Sequence, residues 1–273
     1  MKKFLALTMC AILVLCVAVV VLAPQEAVAQ TEYFATEFNG ASDFVSKSFT
    51  VNYKDYSAYD YALALRIPSY VISGATCVPI AGANILGFYD RYYTELIPNF
   101  DPGIVYAGTH YMYKSADSNV TTATMQLAAD MGLKNPATEG ATINEFKTGI
   151  TKYCNRKSLS VGFESSMQSG LFNYEKAKSQ LDAGKPIIIF CSGFNLAIIG
   201  QQTNSDTIVL RTCVDTHAMA VFGYTEITYT LNDGSTRLDK YLYVASGVIS
   251  QPTAYVYMGS DITIDDAYAV TIY

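Results

Sequence analysis

The chain has 273 residues, a formal net charge of −6 and 51% hydrophobic residues. No cluster of basic residues indicates a partner nucleic acid, and no apolar run beyond the first residues is long enough to span a membrane. The cysteines form no Cys-x-x-Cys or cysteine–histidine cluster of the kind that binds zinc, and no cofactor is predicted.

The first residues have the pattern of a secretory signal peptide. A basic start is followed by an almost purely apolar run over residues 4–22 and by the small residues Ala27 and Ala29 at the cleavage positions. We predict a signal peptide over residues 1–29, cleaved after Ala29; the alternative is an uncleaved membrane anchor. Residues 30–273 are predicted to form a single domain that is secreted, either extracellular or held at the cell surface.

The first part of the mature chain alternates polar and aromatic residues. Residues 49–53 and 61–65 are predicted to be strands or extended segments that pack on the outside of the core. Residues 66–70 are expected to be extended, because the residue before Pro68 avoids the helical region.

Four helices are predicted from apolar periodicity and end signals. The third has a capping box, in which Thr142 precedes Glu145 by three residues. The fourth is closed by Gly184. The predicted helices cover residues 77 to about 96, 121–131, 143–153 and 174–181.

The second half of the chain changes to strands. Residues 186–191 form a continuous apolar run, which is typical of a strand buried on both faces. Residues 232–235 are a hairpin turn of the Asp-Gly type. Further strands are predicted over residues 158–163, 207–210, 218–224, 227–231, 241–245 and 254–257. Helices that precede a predicted antiparallel sheet indicate an α+β fold.

Cys77 lies where a loop turns into the first helix. Gly74 allows the turn, Thr76 or Cys77 stands at the N-cap, and Pro79 suits the first helical turn. A thiol at a helix N-terminus faces the positive end of the helix dipole, so we expect a lowered pKa and a nucleophilic thiolate. The alternative is a buried structural cysteine.

His217 stands where a strand enters the predicted sheet. An imidazole there can meet a thiol at a helix N-terminus, which is the arrangement that nucleophilic acyl transfer requires. The alternative is a core histidine bonded to a local backbone group. The other histidine, His110, lacks such a setting and is interpreted as structural or exposed.

Three segments together resemble a known family. They are Cys-x-Pro-x-Ala-x-x-x-x-x-Gly-x-Tyr-Asp from Cys77, Gly-Lys-Pro-Ile-Ile-Ile from Gly184, and His-Ala-x-x-Val-x-Gly-Tyr from His217. In this order they are similar to the papain-like cysteine peptidases of the bacteriocin-processing type, peptidase family C thirty-nine, and their exported relatives. The resemblance spans residues 67–247. It implies a papain-like fold, with an N-terminal helical half followed by an antiparallel sheet, in which Cys77 is the nucleophile and His217 the general base.

The chain departs from that family at the supporting positions. Val78 replaces the glycine that usually follows the cysteine, and Val71 stands about where an upstream glutamine would help to stabilise the oxyanion, with Ser69 and Ser73 nearby. The third group, which orients the histidine, falls at Ser246.

Serine can accept the imidazole N–H but cannot stabilise an imidazolium as a carboxylate does. Four carboxylates are possible substitutes for Ser246: Asp215, Asp261, Asp265 and Asp266.

Two further cysteines, Cys191 and Cys213, border strands that are expected to be neighbours. They either form a disulfide or remain two separate buried thiols. Cys154, at the end of a predicted helix, is interpreted as a core residue.

The sequence therefore leads to three hypotheses. The first is a secreted cysteine peptidase, or a related amide-bond acyl-transfer enzyme, that acts on a peptide or protein through Cys77 and His217. The second is a catalytically degenerate domain of the same fold that binds peptide or carbohydrate at the cell surface. The third is a structural surface protein in which Cys77 and His217 lie far apart.

Overall fold

The computed structural model describes residues 45–63, 67–99, 118–213, 216–248, 251–259 and 262–273, with the backbone alone of residues 105–106 and 110–111. Its helices are short. The Thr142 hydroxyl accepts the Glu145 N–H while the Glu145 carboxylate accepts the Thr142 N–H, which confirms the predicted capping box. The helices are α1 (Cys77–Asp90), α2 (Ser118–Met131), α3 (Ile143–Asn155) and α4 (Tyr174–Asp182).

Strands dominate the described part of the chain. They include two short two-stranded pairs, β2–β3 and β5–β6, and one large antiparallel sheet. The strands are β1 (Val45–Ala62), β2 (Val105–Tyr106), β3 (His110–Tyr111), β4 (Val161–Ser165), β5 (Met167–Gln168), β6 (Leu171–Phe172), β7 (Ile187–Gln202), β8 (Ser205–Cys213), β9 (His217–Leu231), β10 (Thr236–Ala245), β11 (Thr253–Tyr257) and β12 (Thr263–Ile272).

The large sheet has eight strands in the order β11-β10-β9-β1-β8-β7-β12-β4, with additional β11–β7 and β9–β7 pairings. The long strands change partner along their length. The first half of β1 pairs with β8 and its second half with β9. The first half of β7 pairs with β9 and its second half with β8. As a result β1, β8, β7, β11, β10 and β9 close into a ring, which we call the six-stranded ring.

Three hydrophobic clusters surround this sheet. Side chains of α1, α2 and α3 pack on one face against Ile188 and Ala218. On the opposite face, Ala177 and Leu181 of α4 pack against Ile189. The strands of the six-stranded ring contribute the third cluster. Because residues 188 and 189 are both buried, the predicted two-sided burial of the strand from residue 186 is confirmed.

The prediction of a papain-like α+β fold with an N-terminal helical half is wrong. The first described element is β1, an 18-residue strand that precedes all four helices and lies inside the sheet, between β9 and β8. The described chain is mostly one large antiparallel sheet with four short helices, which differs from the papain-like fold. Val51 and Tyr53 of β1 are buried, so the expectation that this segment packs outside the core is also wrong.

Several element boundaries differ from the predictions. Helix α1 ends at Asp90 rather than near residue 96, because the Asp90 carboxylate accepts the Ile97 N–H at 2.7 Å and the chain folds back. Strand β12 was not predicted, although it lies within the sheet between β7 and β4. The hairpin at residues 232–235 is confirmed, with Gly234 at a φ of 88°.

Some predictions concern residues outside the described part. These are the signal peptide over residues 1–29 with its cleavage after Ala29, the side chain of His110, and the carboxylates Asp215 and Asp261.

Among the helices that the structure describes, none combines the length and apolar character needed to cross a membrane.

Candidate active site

The start of α1 presents unused backbone donors to the Cys77 thiol. Thr76 is the N-cap residue, with φ −81° and ψ 173°, but its side chain does not cap the helix. Its hydroxyl instead donates to the Glu139 carbonyl at 2.7 Å. Pro79, in the first turn, has no N–H to offer. The N–H groups of Cys77 and Val78 are therefore the first-turn donors nearest the sulfur.

The Cys77 thiol is set in a buried, donor-rich environment. Burial is the largest influence and raises its pKa, while the backbone N–H groups of Ala218, Cys77 and Val78 lower it by a smaller amount. The expected net lowering of the thiol pKa is therefore wrong, since burial outweighs the helix N-terminus. The residue as a whole is partly exposed to solvent.

His217, the first residue of β9, is 3% exposed. Its Nε2 lies 2.7 Å from the Ser246 carbonyl oxygen, so Nε2 carries the proton and donates it. In the neutral ring the basic nitrogen is then Nδ1. Burial lowers the pKa of His217 to about 4, although the Ser246 carbonyl acts in the opposite direction. The Phe194 ring packs on the imidazole, with 4.7 Å between ring centroids.

The structure brings Cys77 and His217 together. The Ala218 N–H that faces the Cys77 sulfur belongs to the residue directly after His217. Gly247 lies between His217 and α1. A Cβ built on Gly247 would be 4.0 Å from His217 Cε1 and 3.4 Å from Ile80 Cγ2. Ile80 is in the first turn of α1, so the imidazole and the start of α1 meet at the same glycine.

Ser246 contacts the imidazole through its backbone rather than its side chain. The Ser246 hydroxyl donates to the Gln251 carbonyl and accepts the Val248 N–H at 3.0 Å. The predicted third position is therefore at the ring, but a carbonyl acts there and not a hydroxyl. Of the alternative carboxylates, Asp265 is exposed and accepts a hydrogen bond from Ser192 at 3.0 Å.

The segment before Cys77 supplies no side-chain amide at the expected position. Val71 and Ser69 are buried, and Ser73 is exposed. The buried amide in this region belongs to Asn84 of α1, whose Oδ1 accepts the Tyr70 N–H at 2.6 Å. It holds the incoming segment against α1, so any oxyanion stabilisation here falls to backbone N–H groups.

The sequence did not identify Cys191 as part of this site. Cys191 is the cross-strand partner of His217 where β7 pairs with β9. The local sequence gives no signal for this, because strand register is set by the whole sheet. Of the cysteines that the structure describes, Cys77, Cys154, Cys191 and Cys213, none is in a disulfide, so of the two alternatives for Cys191 and Cys213 the structure has separate thiols.

Two surface cavities of the described residues lie away from the Cys77–His217 pair. One of about 430 Å³ lies between the β5–β6 hairpin, the start of α4 and Lys240. The other, of about 320 Å³, lies beside Arg237 at one end of the six-stranded ring. Over the residues that the structure describes, no group of three or more His, Cys, Asp or Glu side chains is placed to hold a metal ion.

Comparisons of the chain with protein-family models, curated proteins and solved structures give no match.

Proposed function

We propose that the protein is an exported cysteine-dependent hydrolase, or a related acyl-transfer enzyme, that acts on amide bonds of a peptide or protein. The observation that carries the proposal is the convergence of Cys77 and His217. A thiol at a helix N-terminus faces the backbone N–H of the residue that follows a buried, neutral histidine. This combination supplies a nucleophile, a base and backbone donors in one place.

The proposed reaction has two steps, acylation of Cys77 and hydrolysis of the resulting thioester. His217 Nδ1 takes the proton of the Cys77 thiol while the sulfur attacks the substrate carbonyl carbon. The Cys77 N–H stabilises the resulting oxyanion. The imidazolium then protonates the leaving amine, which departs and leaves a thioester. Water, deprotonated by His217, attacks the thioester and releases the acid and the Cys77 thiol.

The resting pair is a neutral thiol beside a neutral imidazole. The His217 pKa is about 4 and the thiol pKa lies above its ordinary value. Burial therefore makes proton transfer from sulfur to nitrogen unfavourable in the resting site. We therefore expect slow turnover, and a rate of Cys77 alkylation that still rises with pH above neutrality as the thiolate forms.

The test is hydrolysis of a peptide library followed by mass spectrometry, with Cys77→Ala, His217→Gln and Cys154→Ala compared with the unmodified chain. Cys154 is fully buried in the cluster formed by α1–α3, so its variant is a matched control that removes a thiol away from the site. We expect cleavage to fall by at least about 100-fold in Cys77→Ala and His217→Gln and to persist in Cys154→Ala. Equal cleavage by Cys77→Ala and the unmodified chain would show that the mechanism is wrong.

A second candidate function is binding without catalysis, to peptide or carbohydrate at the cell surface. The raised thiol pKa, the lowered imidazole pKa and the use of a carbonyl behind the ring favour this candidate. An iodoacetamide probe separates the two. Alkylation of Cys77 that depends on His217 supports the enzyme, whereas equal alkylation in His217→Gln supports the binding domain.

A further inference from the structure

Cys191 is a buried thiol that the proposed mechanism does not use. It lies on β7, is 2% exposed and pairs with His217 of β9. Directly paired residues of antiparallel strands project to the same face, with their Cβ atoms about 4.5–5.5 Å apart. The Cys191 sulfur is therefore a direct neighbour of the imidazole.

Cys191 is also close to Cys77. Cys191 belongs to the hydrophobic cluster on the α4 face of the sheet, as does Phe194, which covers the imidazole. Cys77 packs against this cluster as well as against the one formed by α1–α3. The charge of a Cys77 thiolate contributes to the raised pKa of Cys191, after burial and Asp265. Cys191 therefore lies near both Cys77 and His217.

The remaining thiols provide the comparison. Cys154 belongs to the cluster formed by α1–α3 on the opposite face. Cys213 lies in the same cluster as Cys191, but its cross-strand partner is Phe194 rather than the histidine. Of the described cysteines other than Cys77, Cys191 is the one paired directly with the candidate base.

We propose that Cys191 is a resolving thiol for Cys77, so that a peroxide converts the pair into a Cys77–Cys191 disulfide. The inference rests on the proposed role of Cys77 as the reactive thiol. The modification site is the Cys77–Cys191 pair. Export, which is part of the proposed function, would place this pair outside the cell, where disulfides persist.

The chemistry has two balanced steps. Hydrogen peroxide oxidises the Cys77 thiol to a sulfenic acid, and the peroxide is reduced to water. The Cys191 sulfur then attacks the Cys77 sulfur. The S–S bond forms, the S–OH bond breaks, and the departing hydroxide leaves as water with the proton of Cys191.

His217 has a defined part in the second step. Burial raises the pKa of Cys191, so its thiolate is scarce at neutral pH and the attack needs a base. The paired imidazole is next to it and neutral, so it can accept that proton and deliver it to the hydroxide. We therefore expect the disulfide to form more slowly when His217 is replaced by Gln.

The consequence is a reversible off state. The disulfide removes the nucleophile from the site and protects Cys77 from further oxidation to sulfinic acid, which thiol reductants do not reverse. A thiol reductant restores both free thiols.

The experiment treats the purified full chain with millimolar hydrogen peroxide and maps the cysteines by mass spectrometry after proteolysis without reductant. We expect a Cys77–Cys191 cross-linked peptide, 2 Da lighter than the two thiol peptides together and abolished by dithiothreitol. Cys191→Ser and Cys191→Ala should instead accumulate Cys77 sulfinic acid, at least about five-fold above the unmodified chain. Cys213→Ser and Cys154→Ser should retain the cross-link.

Three results would overturn the inference: a Cys77–Cys213 cross-link, sulfinic acid rather than the cross-link as the main product at Cys77 in the unmodified chain, or no modification of Cys77. Cys191→Ser and Cys191→Ala are both used, so that the experiment can still be read if one of them misfolds. Circular dichroism establishes which variants are folded. Because the readout is a mass and not a turnover, the cross-link can form in a protein that cleaves no peptide. That outcome would remove the proposed hydrolase activity and leave the Cys191 assignment intact.

Discussion

Asp90, the last residue of α1, is a carboxylate with no exposed surface. One oxygen accepts the Ile97 N–H at 2.7 Å, while the other is buried and has no hydrogen-bond partner among the described residues. Burial raises the pKa of Asp90 to about 6, against the lowering effect of the Ile97 N–H. A negative charge is also unfavourable at the C-terminal end of a helix dipole.

Replacing Asp90 with Asn should stabilise the protein at pH 7. The folded-state pKa, about 6, exceeds the unfolded value of about 3.9, so the folded state binds more protons between these values. The cost of ionising Asp90 is therefore absent at pH 3.5, grows as the pH rises through this window and is constant above it. Urea unfolding should give Asp90→Asn a gain of about 1–3 kcal/mol at pH 7 that disappears near pH 3.5.

Asp55→Asn is the control, because Asp55 is exposed and its stability effect should stay within about 0.5 kcal/mol at both pH values. A loss of stability in Asp90→Asn at pH 7 would contradict the argument.

The Cys77–His217 pair shows which parts of a site local sequence can predict. A helix start and a strand start both have local signals, so the sequence could nominate Cys77 and His217 as candidates. Their pKa values could not be predicted, since both are controlled by burial that arises only when β9 packs against α1. The role of Ser246 could not be predicted either, because it contacts the ring through its backbone carbonyl, next to a turn at Gly247 with a φ of 74°.

Among the elements, β9 depends on close approach to β1. Gly223 of β9 pairs with Ala62, and a Cβ at this position would overlap the Tyr61 carbonyl oxygen and lie 3.0 Å from the Ala62 Cα. These are backbone atoms, so no side-chain rotation relieves the overlap. Gly223 also sits where the register between β9 and β10 shifts, next to the Tyr243/Val244 irregularity.

Gly223→Ala should therefore destabilise the protein by about 2–4 kcal/mol, because the two strands must separate to admit a methyl group. Gly140→Ala is the matched control, since a Cβ at Gly140 would meet no atom within 4 Å. Thermal unfolding followed by circular dichroism compares the two variants. A melting temperature for Gly223→Ala equal to that of Gly140→Ala would show that β1 and β9 are not held together as described.

Elements formed by interactions between nearby residues could be predicted from the sequence, whereas those formed by long-range pairing could not. Helix α3 was predicted because its cap and its apolar stripe are local. Strand β12 was missed since Asp265 and Asp266 interrupt its apolar pattern, and its place between β7 and β4 is decided by pairing. The partner change within β7, from β9 to β8, has no local signature either.

For the whole molecule, the six-stranded ring is closed by few interactions between β7 and β11. The backbone pairing between these strands is Tyr255 with Ala197. Beside it, the Asn195 side chain replaces a backbone pair: its Nδ2 donates to the Tyr257 carbonyl at 3.0 Å and its Oδ1 accepts the Tyr257 N–H at 2.8 Å. Asn195 is fully buried, so both bonds are shielded from water.

Asn195→Ala should cost about 2–4 kcal/mol in the free energy of unfolding, because both backbone groups of Tyr257 lose their partners. We also expect faster amide hydrogen exchange at Tyr257 and Tyr255, since this is where the ring would open first. Gln201→Ala, at an exposed position on the same strand, should change neither quantity. Unchanged exchange at Tyr257 in Asn195→Ala would contradict this account of ring closure.

The overall architecture was the least predictable level. The sequence order suggested helices first and a sheet second, yet β1 precedes the helices and is completed by strands far along the chain. Residues 45–52 pair with residues 205–212, and residues 53–62 with residues 223–231. Such long-range pairing leaves no pattern in either segment alone.

The Tyr53 hydroxyl donates to Asp206 at 3.0 Å, and the Tyr229 hydroxyl donates to the other oxygen of that buried carboxylate at 2.7 Å. A chain emerging amino end first during synthesis must therefore carry β1 without its partners until residues beyond 229 have followed. During that interval β1 is an unpaired strand whose apolar residues Val51 and Tyr53 are exposed, so chaperones or neighbouring chains can bind it. Folding of the new chain therefore depends on β1 being protected from other contacts until β8 and β9 have been made.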